Sequence, residues 1–233
     1  MLIVIDVIDF AVEEGMCPPI KLKIRKPTVE TNELEILDIT TQNNFERRLL
    51  LNLNETSVGI LISLNTGLRI SEVCALKWSD IDFQNSILHV RTTVARVKST
   101  DDSDSATKLI IDKPKTKSSL RDIPLSKKLM GILVSLNKSR CSEYVISNKK
   151  GFVSPRTYEY RFHRILDECN LPSFNYHVLR HTFATRCIEL GVDVKTLSEI
   201  LGHSNVSITL NTYVHSSMER KREQLEKLSS ISA

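Results

Sequence analysis

The sequence predicts a mainly α (α+β) fold, in which a helical body carries a small three-stranded antiparallel sheet at one edge. The main observation is that apolar residues recur at helical spacing through most of the 233 residues, between capping residues and glycines. This period is interrupted between residues 87 and 125 by short runs of strand-forming residues. A hydrophobic content of 41% in a chain of this length is typical of a globular protein that buries a full core.

The beginning of the chain is predicted to stand apart from the helical body. Residues 1–16 have apolar side chains at near-helical spacing, and Gly15 followed by Cys17-Pro18-Pro19 ends the pattern. Residues 18–33 are basic, so they are predicted to be a linker that could also follow a phosphate backbone.

Three helices are predicted before the change of period. Thr40 or Thr41 can cap the first of them. Residues 58–64 are apolar nearly all round, which predicts a central helix, and Asn65-Thr66-Gly67 forms a turn after it. Ser71 can cap the third helix.

Three short runs are predicted to pair as the sheet, namely residues 87–90, 109–111 and 120–123. The polar and acidic residues 98–106 are predicted to be a loop. Residues 114–119 are predicted to be the hairpin turn that presents Lys115.

Helices are predicted again after the sheet. Ser126 can cap one of them, and Ser154-Pro155 is a typical start for another. Two further helices are predicted to start and stop, in order, at His177 and Gly191, and at Asp193 and Gly202. A shorter apolar pattern leads to Tyr213, and residues 216–233 form a charged tail with a narrow apolar stripe.

Net charge, cysteine usage and the first residues of the chain narrow the class of protein. A net charge of +4 is only a weak indication of a nucleic-acid partner. The five cysteines are odd in number and scattered, which fits reduced cytosolic thiols better than a disulfide framework or a zinc site. The apolar first residues are interrupted by Asp6 and Asp9, so they predict neither a signal peptide nor a membrane span. We therefore expect a cytoplasmic protein without a membrane partner.

Polar residues suited to phosphate chemistry stand beside the predicted helix ends near the C-terminus. His177 and Arg180 are three positions apart, so they share one face of a helix. His203 follows Gly202 in a turn, and Tyr213 comes ten residues later. These four side chains could converge on one anion, and the obvious anion is a phosphodiester.

The segments His177-Val178-Leu179-Arg180 and Leu201-Gly202-His203-Ser204, followed by Tyr213, resemble half of the active site of the tyrosine recombinase (phage integrase) family. That family also has an arginine in a T-G-[LM]-R-x-S-E segment and a lysine in a β-turn. Residues 66–72, with Arg69, match the first pattern, and Lys115 matches the second. All six expected positions are filled in the expected order, which is a far more specific signal than any one motif.

The resemblance covers roughly residues 36–215 and implies a helical catalytic core of the phage-integrase type. It also implies that DNA is cleaved and rejoined through a covalent 3′-phosphotyrosine, without a metal, a cofactor or ATP. A phenol with a pKa near 10 suits this chemistry, because its phosphate ester remains an adequate leaving group for the reverse step. The implied roles are nucleophile for Tyr213, phosphate binding for Arg69, Arg180 and His203, proton acceptance for His177, protonation of the 5′-oxygen for Lys115, and support of Arg69 for Glu72.

Some of these assignments have competitors. Lys117 is close to Lys115 in the sequence, although the K-T-x-S-S-x-R-x-I-P-L context favours Lys115. His177 and His181 are four apart on one helix and could suggest a metal pair, but no third ligand follows, so no metal site is expected. His181 is predicted to be structural or a minor contact. Any one of these residues alone would be a solvated charge or a packing side chain, and only their joint occurrence overturns that interpretation.

The resemblance further implies a domain layout and partners. Residues 1–33 would be the last helix of an N-terminal DNA-clamping domain, most of which is lacking, followed by a basic linker. Residues 34–215 would be the catalytic domain. Residues 216–233 would be a tail that is exchanged between subunits. Members act as homotetramers on duplex DNA, with accessory DNA-bending proteins as possible partners, and the isolated chain is expected to be a monomer. Phosphate contacts are predicted for basic residues in turns or near helix starts, namely Lys21, Lys23, Arg25, Lys26, Lys77, Lys117, Arg121, Lys149, Lys150 and Arg156.

Two alternatives remain beside a site-specific recombinase, or integrase, of a phage or conjugative element. A type IB topoisomerase uses similar chemistry, but the L-G-H-S segment and the short spacing from His203 to Tyr213 favour the recombinase. A DNA-binding regulator that kept the fold but lost cleavage is opposed by the intact tyrosine, lysine and both arginines.

Overall fold

The computed structural model describes residues 2–19, 34–99, 107–114, 116–148 and 151–213, together with residues 222, 225 and 226. The chain divides into two compact units, Met1–Glu33 and Leu34–Ala233. In the first unit, helix α1 (Leu2–Glu13) is followed by a turn at Gly15. The basic residues of the predicted linker lie outside the described residues, so the assignment of this unit to a DNA-clamping domain stays a prediction.

Helices make up most of the described part of the second unit, as the sequence predicts. None of the described helices combines the length and the apolar character that crossing a membrane would take. In chain order, the helices of the second unit are α2 (Ile39–Leu51), α3 (Glu55–Thr66), α4 (Ile70–Ala75), α5 (Lys127–Asn137), α6 (Pro155–Glu168), α7 (His177–Glu189), α8 (Val194–Leu201) and α9 (Val206–Tyr213).

Helix α3 is the centre of the core, because nearly every residue on it is buried. The side chain of Asn54 caps it by accepting two backbone N–H groups of the first turn at 2.9 and 3.0 Å. Helices α6 and α7 pack on it, and buried hydroxyls tie them together. Tyr158 Oη donates to the carbonyl of Thr56 at 2.7 Å, and Tyr176 Oη lies 2.8 Å from Ser63 Oγ. The central helix predicted from its uniformly apolar surface is therefore confirmed.

A three-stranded antiparallel sheet lies beside the helices and consists of β1 (Ile81–Asp82), β2 (Ile87–Val90) and β5 (Arg121–Pro124), with β2 in the middle. Leu88 and Ile123 are paired across β2 and β5, and both are buried. The predicted mainly α fold with a small sheet is confirmed in outline.

The membership of this sheet differs from the prediction. Residues 109–111 lie in β4 (Thr107–Asp112), which pairs with β3 (Thr93–Lys98) in a separate two-stranded sheet. The prediction missed β3 because basic side chains interrupt its apolar alternation. Residues 114–119 therefore connect two different sheets, and the predicted hairpin turn is wrong. A further two-stranded sheet joins β6 (Ser147–Asn148) to β7 (Gly151–Phe152).

The helix starts agree with the sequence in part. Asp38, rather than a threonine, caps α2, because its carboxylate accepts the N–H of Thr41 at 2.9 Å. Helix α4 begins after Arg69 rather than at Ser71, because Glu72 Oε2 accepts the N–H of Arg69 at 2.9 Å. Three predicted caps are confirmed by side chains that accept the backbone N–H three residues on, namely Ser126, Ser154 and Asp193.

The last three helices bring the predicted site residues against the end of α3. Helix α7 starts at His177 and packs on α3, and α8 and α9 in turn pack on α7. Helix α8 ends at Leu201 with Gly202 as its C-cap, as predicted. Tyr213 is the last residue of α9.

Candidate active site

The guanidinium of Arg180 lies where three helices meet. Helix α7 carries this side chain, and the residue is 2% exposed. Its Nη1 donates to the carbonyl of Gly67, just beyond α3, at 2.7 Å, and its Nη2 donates to the carbonyl of Leu201 at the end of α8 at 2.8 Å. Carbonyls at helix C-termini lack helical partners and carry partial negative charge, so they hold a buried cation well.

Two glycines allow these helix ends to approach Arg180. Gly67 and Gly202 have φ values of 67° and 68°, a left-handed conformation that favours glycine. A Cβ atom on Gly67 would lie 2.7 Å from atoms of Leu201 and Phe183, and one on Gly202 would lie 3.0 Å from Arg121 Nη1. Both positions therefore require glycine for its backbone and for space.

His203 lies directly after α8, with both ring nitrogens engaged. Its Nε2 is 2.9 Å from Arg180 Nη2, and its Nδ1 is 2.7 Å from Thr209 Oγ1. Because a guanidinium only donates, Nε2 must accept, and Nδ1 must carry the proton that is donated to Thr209. The contacts thus fix a neutral tautomer of His203.

The carboxylate of Glu72 joins two arginines below the site. Glu72 is 4% exposed and accepts from Arg121 Nη1 and Nη2 at 3.0 and 2.9 Å. It also accepts from Arg69 Nη1 at 3.0 Å. Burial raises the pKa of Glu72, but the hydrogen bonds and charges of Arg121 and Arg69 outweigh it, so the pKa lies below its ordinary value of 4.5. Glu72 is therefore a paired, ionised buried group.

Arg121 does not occupy the position expected of a phosphate contact. The residue is 8% exposed and its guanidinium faces inward, where Nε donates to the carbonyl of Ile200 at 2.5 Å and Nη1 to that of Ser119 at 3.1 Å. Together with its bidentate pairing to Glu72, these bonds join β5 to α4 and to the end of α8. The expectation of a DNA contact at Arg121 is thus corrected to a structural position beneath the site.

The hydroxyl of Tyr213 is held inside the same cluster. Tyr213 is 6% exposed, and its Oη lies 2.9 Å from His181 Nδ1. The ring of His177 packs edge-on against that of His181, with centroids 4.7 Å apart. His181 was expected to be structural or a minor contact, yet it makes the direct hydrogen bond to the phenol.

Burial and nearby charge set the ionisation of this cluster. Burial lowers the pKa of His177 and His203 to about 4 each, and the charge of Arg180 contributes to both. Burial and then the charge of Arg180 also lower the pKa of His181. The three imidazoles are therefore neutral at neutral pH. Burial raises the pKa of Tyr213, although the positive charge of Arg180 opposes it.

The two predicted phosphate-binding arginines lie within electrostatic reach of each other. Burial lowers the pKa of Arg180 to about 9, with the charge of Arg69 as the next cause, so Arg180 stays protonated at neutral pH. Arg69 is 33% exposed and also influences the pKa values of His177, His203 and Tyr213. These five side chains, with His181, form one group that we call the active-site cluster. Two cations, neutral imidazoles and a phenol in one place can bind a phosphate and supply a nucleophile.

Other predicted residues lie elsewhere or outside the described residues. Lys115 and the predicted contacts at positions 21, 23, 25, 26, 149 and 150 are outside them. Lys77 Nζ pairs with Glu143 at 2.8 Å and lies over the ring of Tyr144, while Lys117 and Arg156 are exposed. Within the described part of the chain, no three histidine, cysteine or carboxylate side chains are arranged to hold a metal ion.

For two residues, Arg121 and His181, the sequence interpretation assigned another role although a signal for their position was detectable. Arg121 has the same parity as the buried residues Ile123 and Leu125, so the strand pattern places it on the inward face. His181 is one helical turn after His177, so it shares the face that carries the other site residues.

The chain is similar to known proteins along most of its length. Residues 29–220 match the family profile described as the Phage integrase family. A protein of Caldanaerobacter subterraneus subsp. tengcongensis named "Tyrosine recombinase XerC-like" is 30% identical over 96% of this chain and 63% of its own length. The transposase from transposon Tn916 of Enterococcus faecalis is 29% identical over 72% of this chain and 44% of its own length.

A solved structure has the same fold. The Tn1549 transposon integrase in complex with circular intermediate DNA matches with a TM-score of 0.72 and 28% identity, over 85% of this chain and 68% of that chain. The present chain thus spans 63% and 44% of the two named relatives, so it corresponds to part of each of them.

Proposed function

This chain belongs to the phage integrase family, and we propose that it carries the catalytic domain of a site-specific DNA recombinase, or integrase. It would cleave and rejoin DNA strands through a covalent 3′-phosphotyrosine, without a metal or ATP. The observation that carries the proposal is the active-site cluster: a buried phenol, hydrogen-bonded to a neutral imidazole, stands in the field of two arginines.

The proposed cleavage step has a balanced course. The oxygen of Tyr213 attacks the phosphorus, its O–H bond breaks as a histidine of the active-site cluster takes the proton, and a P–O bond to the tyrosine forms. The P–O bond to the 5′-oxygen breaks, and that oxygen takes a proton from Lys115, which we assign from the motif. Religation runs the same events backwards, so the bond energy is kept and no ATP is needed.

Arg69 and Arg180 are proposed to stabilise the charge that develops on the phosphate oxygens. His203 would join them by donating from Nε2, which requires the ring to release its bond from Arg180 and to change tautomer. A guanidinium fork matches two phosphate oxygens at once. The helix-end carbonyls and Glu72 hold the two arginines in place before DNA arrives, so little reorganisation is needed during the reaction. The motif assigns acceptance of the Tyr213 proton to His177, whose ring packs against that of His181 in the same cluster.

Duplex DNA is the proposed partner, in line with the Tn1549 integrase, whose structure contains circular intermediate DNA. Assembly as a homotetramer on two duplexes, exchange of residues 216–233 between subunits, help from DNA-bending proteins and a cytoplasmic location belong to the same proposal. The first unit, Met1–Glu33, is proposed to be the end of a DNA-clamping domain.

A nicked suicide substrate tests the proposal. The nick lets the 5′-fragment diffuse away after cleavage, so the protein stays attached to DNA and migrates as a denaturation-resistant adduct. We expect the adduct with the wild-type chain and with the control Tyr160→Phe, whose ring is 69% exposed on α6, but not with Tyr213→Phe. A wild-type chain that yields no adduct, or a Tyr213→Phe variant that still does, overturns it.

The same protein can be compared with the two rival activities. Strand exchange between two duplexes is expected for the recombinase. Relaxation of supercoiled DNA without exchange would identify a type IB topoisomerase, and DNA binding without any adduct would identify a regulator.

A further inference from the structure

We infer that His181 is a catalytic residue that takes the proton of Tyr213 during strand cleavage and returns it during religation. This inference rests on the proposed function, because it assigns a role within the same phosphotyrosine reaction. It differs from the sequence-based assignment of that role to His177.

The geometry comes from helix α7 and the end of helix α9. His181 Nδ1 is 2.9 Å from Tyr213 Oη, within the range over which a general base can take a proton. The two ring centroids are 5.6 Å apart, with an interplanar angle of 53°. His177 meets His181 through a ring edge, with centroids 4.7 Å apart.

The surroundings of His181 leave its Nδ1 able to accept. Burial and the charge of the neighbouring Arg180 disfavour the imidazolium, so the ring is neutral. The inference assigns it the tautomer with the proton on Nε2, in which Nδ1 accepts the hydrogen bond of the phenol. Among the described residues, the titratable and charged groups that contact His181 or act on its charge are His177 and Arg180 on its own helix and Tyr213 on α9. Arg180 also favours the phenolate that forms as the proton leaves.

The proton balance is complete with residues of this chain. As the oxygen of Tyr213 attacks the phosphorus, its proton moves to His181 Nδ1, and the ring becomes an imidazolium. In religation the phosphotyrosine bond breaks, and the leaving phenolate takes the same proton back. The 5′-oxygen exchanges its proton with a separate acid, so the two proton transfers can be perturbed independently.

His181→Asn is the decisive variant, because an amide can still accept a hydrogen bond from the phenol but cannot take up a proton at neutral pH. We expect it to slow adduct formation on the suicide substrate by about 10²–10⁴-fold, as is typical for loss of a general base. His163→Asn, on α6, is the matched control and should react at the wild-type rate. A His181→Asn variant that reacts at the wild-type rate or faster overturns the inference and indicates a resting contact only.

The pH profile separates proton transfer from simple positioning. The wild-type rate should fall with acidity as His181 becomes protonated, and the midpoint should lie below the ordinary value of 6.5, because the pKa of His181 is lowered. This acid limb should coincide with the titration of the His181 ring followed by NMR in Tyr213→Phe. It should be lost in His181→Asn and kept in His177→Asn. The reverse pattern, or a limb that does not follow the His181 ring, would assign the proton to another group.

Substitution of the reacting atoms gives a readout that a structural role does not move. A fluorinated, more acidic tyrosine at position 213 should restore much of the rate of His181→Asn, because the base then has less to do. A DNA substrate with sulfur in place of the 5′-oxygen should not restore the rate. A sulfur leaving group removes the need for the acid that protonates the 5′-oxygen, but it does not remove the need for a base at Tyr213. Rescue by the sulfur substrate instead would contradict the assignment.

Separate controls distinguish a folding defect of the variant, a failure of the proposed function and a failure of this inference. Thermal unfolding and DNA binding of His181→Asn should match the wild type; if the variant does not fold, the coincidence of the acid limb with the His181 ring in the folded chain still decides. Absence of an adduct from the wild-type chain defeats the proposed function itself, and this inference with it. A normal wild-type adduct with an unaffected His181→Asn variant defeats the inference alone.

Discussion

Glu72 shows how a single buried charge can hold two arginines at a site. The carboxylate is 4% exposed and pairs with Arg121 on one side and Arg69 on the other. A buried ion pair adds little net stability compared with an apolar replacement, but removing one partner is costly because the other charge stays buried. The pair therefore contributes chiefly by fixing where Arg69 stands.

Replacing Arg121 tests this arrangement. Arg121→Met should lower the free energy of unfolding by about 3–5 kcal/mol, because Glu72 loses its bidentate partner while remaining buried. Urea denaturation measures the change, and the exposed Arg156→Met should stay within about 0.5 kcal/mol of the wild type. An Arg121→Met chain as stable as the wild type would contradict the role assigned to this ion pair.

The loss of stability caused by Arg121→Met should depend on pH. In the wild type, the pKa of Glu72 is lower in the folded state than its ordinary value of 4.5. Its contribution to stability is therefore present above pH 4.5 and is lost as the pH falls through the folded-state pKa. The difference between Arg121→Met and the wild type should shrink in acid for this reason.

At the scale of elements, the site is built from helix ends. Helices α3 and α8 both stop at left-handed glycines, and each turns a carbonyl towards Arg180. Helix α7 supplies the arginine and both neighbouring histidines from one face. The positions of the side chains in the active-site cluster thus depend on where three helices terminate. A small change at one helix terminus should therefore alter the rate of strand cleavage.

Gly67→Ala tests that dependence. The new Cβ would meet Leu201 and Phe183 at 2.7 Å and force a positive φ on alanine, so we expect a loss of about 1–3 kcal/mol in stability and slower adduct formation. Gly131→Ala is the matched control, because it lies inside α5 with nothing within 4 Å, and should stabilise by about 0.5–1 kcal/mol. Equal effects of the two changes would contradict the claim that the active-site cluster depends on the helix terminus at Gly67.

At the scale of the whole molecule, the proposed grip on DNA is electrostatic. The net charge of +4 is small, so binding depends on which basic side chains face the duplex rather than on the total. Arg121 is buried, and Lys77 is paired with Glu143, so neither is free to contact DNA. Arg156 and Lys117 are exposed.

DNA binding should therefore be weak, sensitive to salt and little dependent on sequence. The logarithm of the binding constant should fall linearly with the logarithm of salt concentration, and Arg156→Gln should reduce the slope by about 1. Lys128→Gln is the control, since Lys128 pairs with Glu46 and is not a predicted contact. Fluorescence anisotropy across a salt series measures both. Affinity that does not respond to salt would argue against a phosphate-based grip.

Local chemistry made a large part of this protein predictable. Periodicity located most helices, and Ser126, Ser154, Asp193 and Gly202 marked their ends because a cap acts within a few residues of the chain. Spacing also brought His177 and Arg180 to one helical face. The ordered motifs carried the family, which the match over residues 29–220 then bore out.

Contacts between distant residues decided the rest. The strand partner of β4, the burial of Arg121 against Glu72, and the bond between His181 and Tyr213 each join positions that no local pattern relates. Arg180 finds its carbonyl partner 113 positions away, at Gly67. The sequence by itself determined which residue types were present and which helices carried them. Only the tertiary structure decided which of them touch, because burial and hydrogen bonding depend on what packs alongside, and that is set by the whole chain at once.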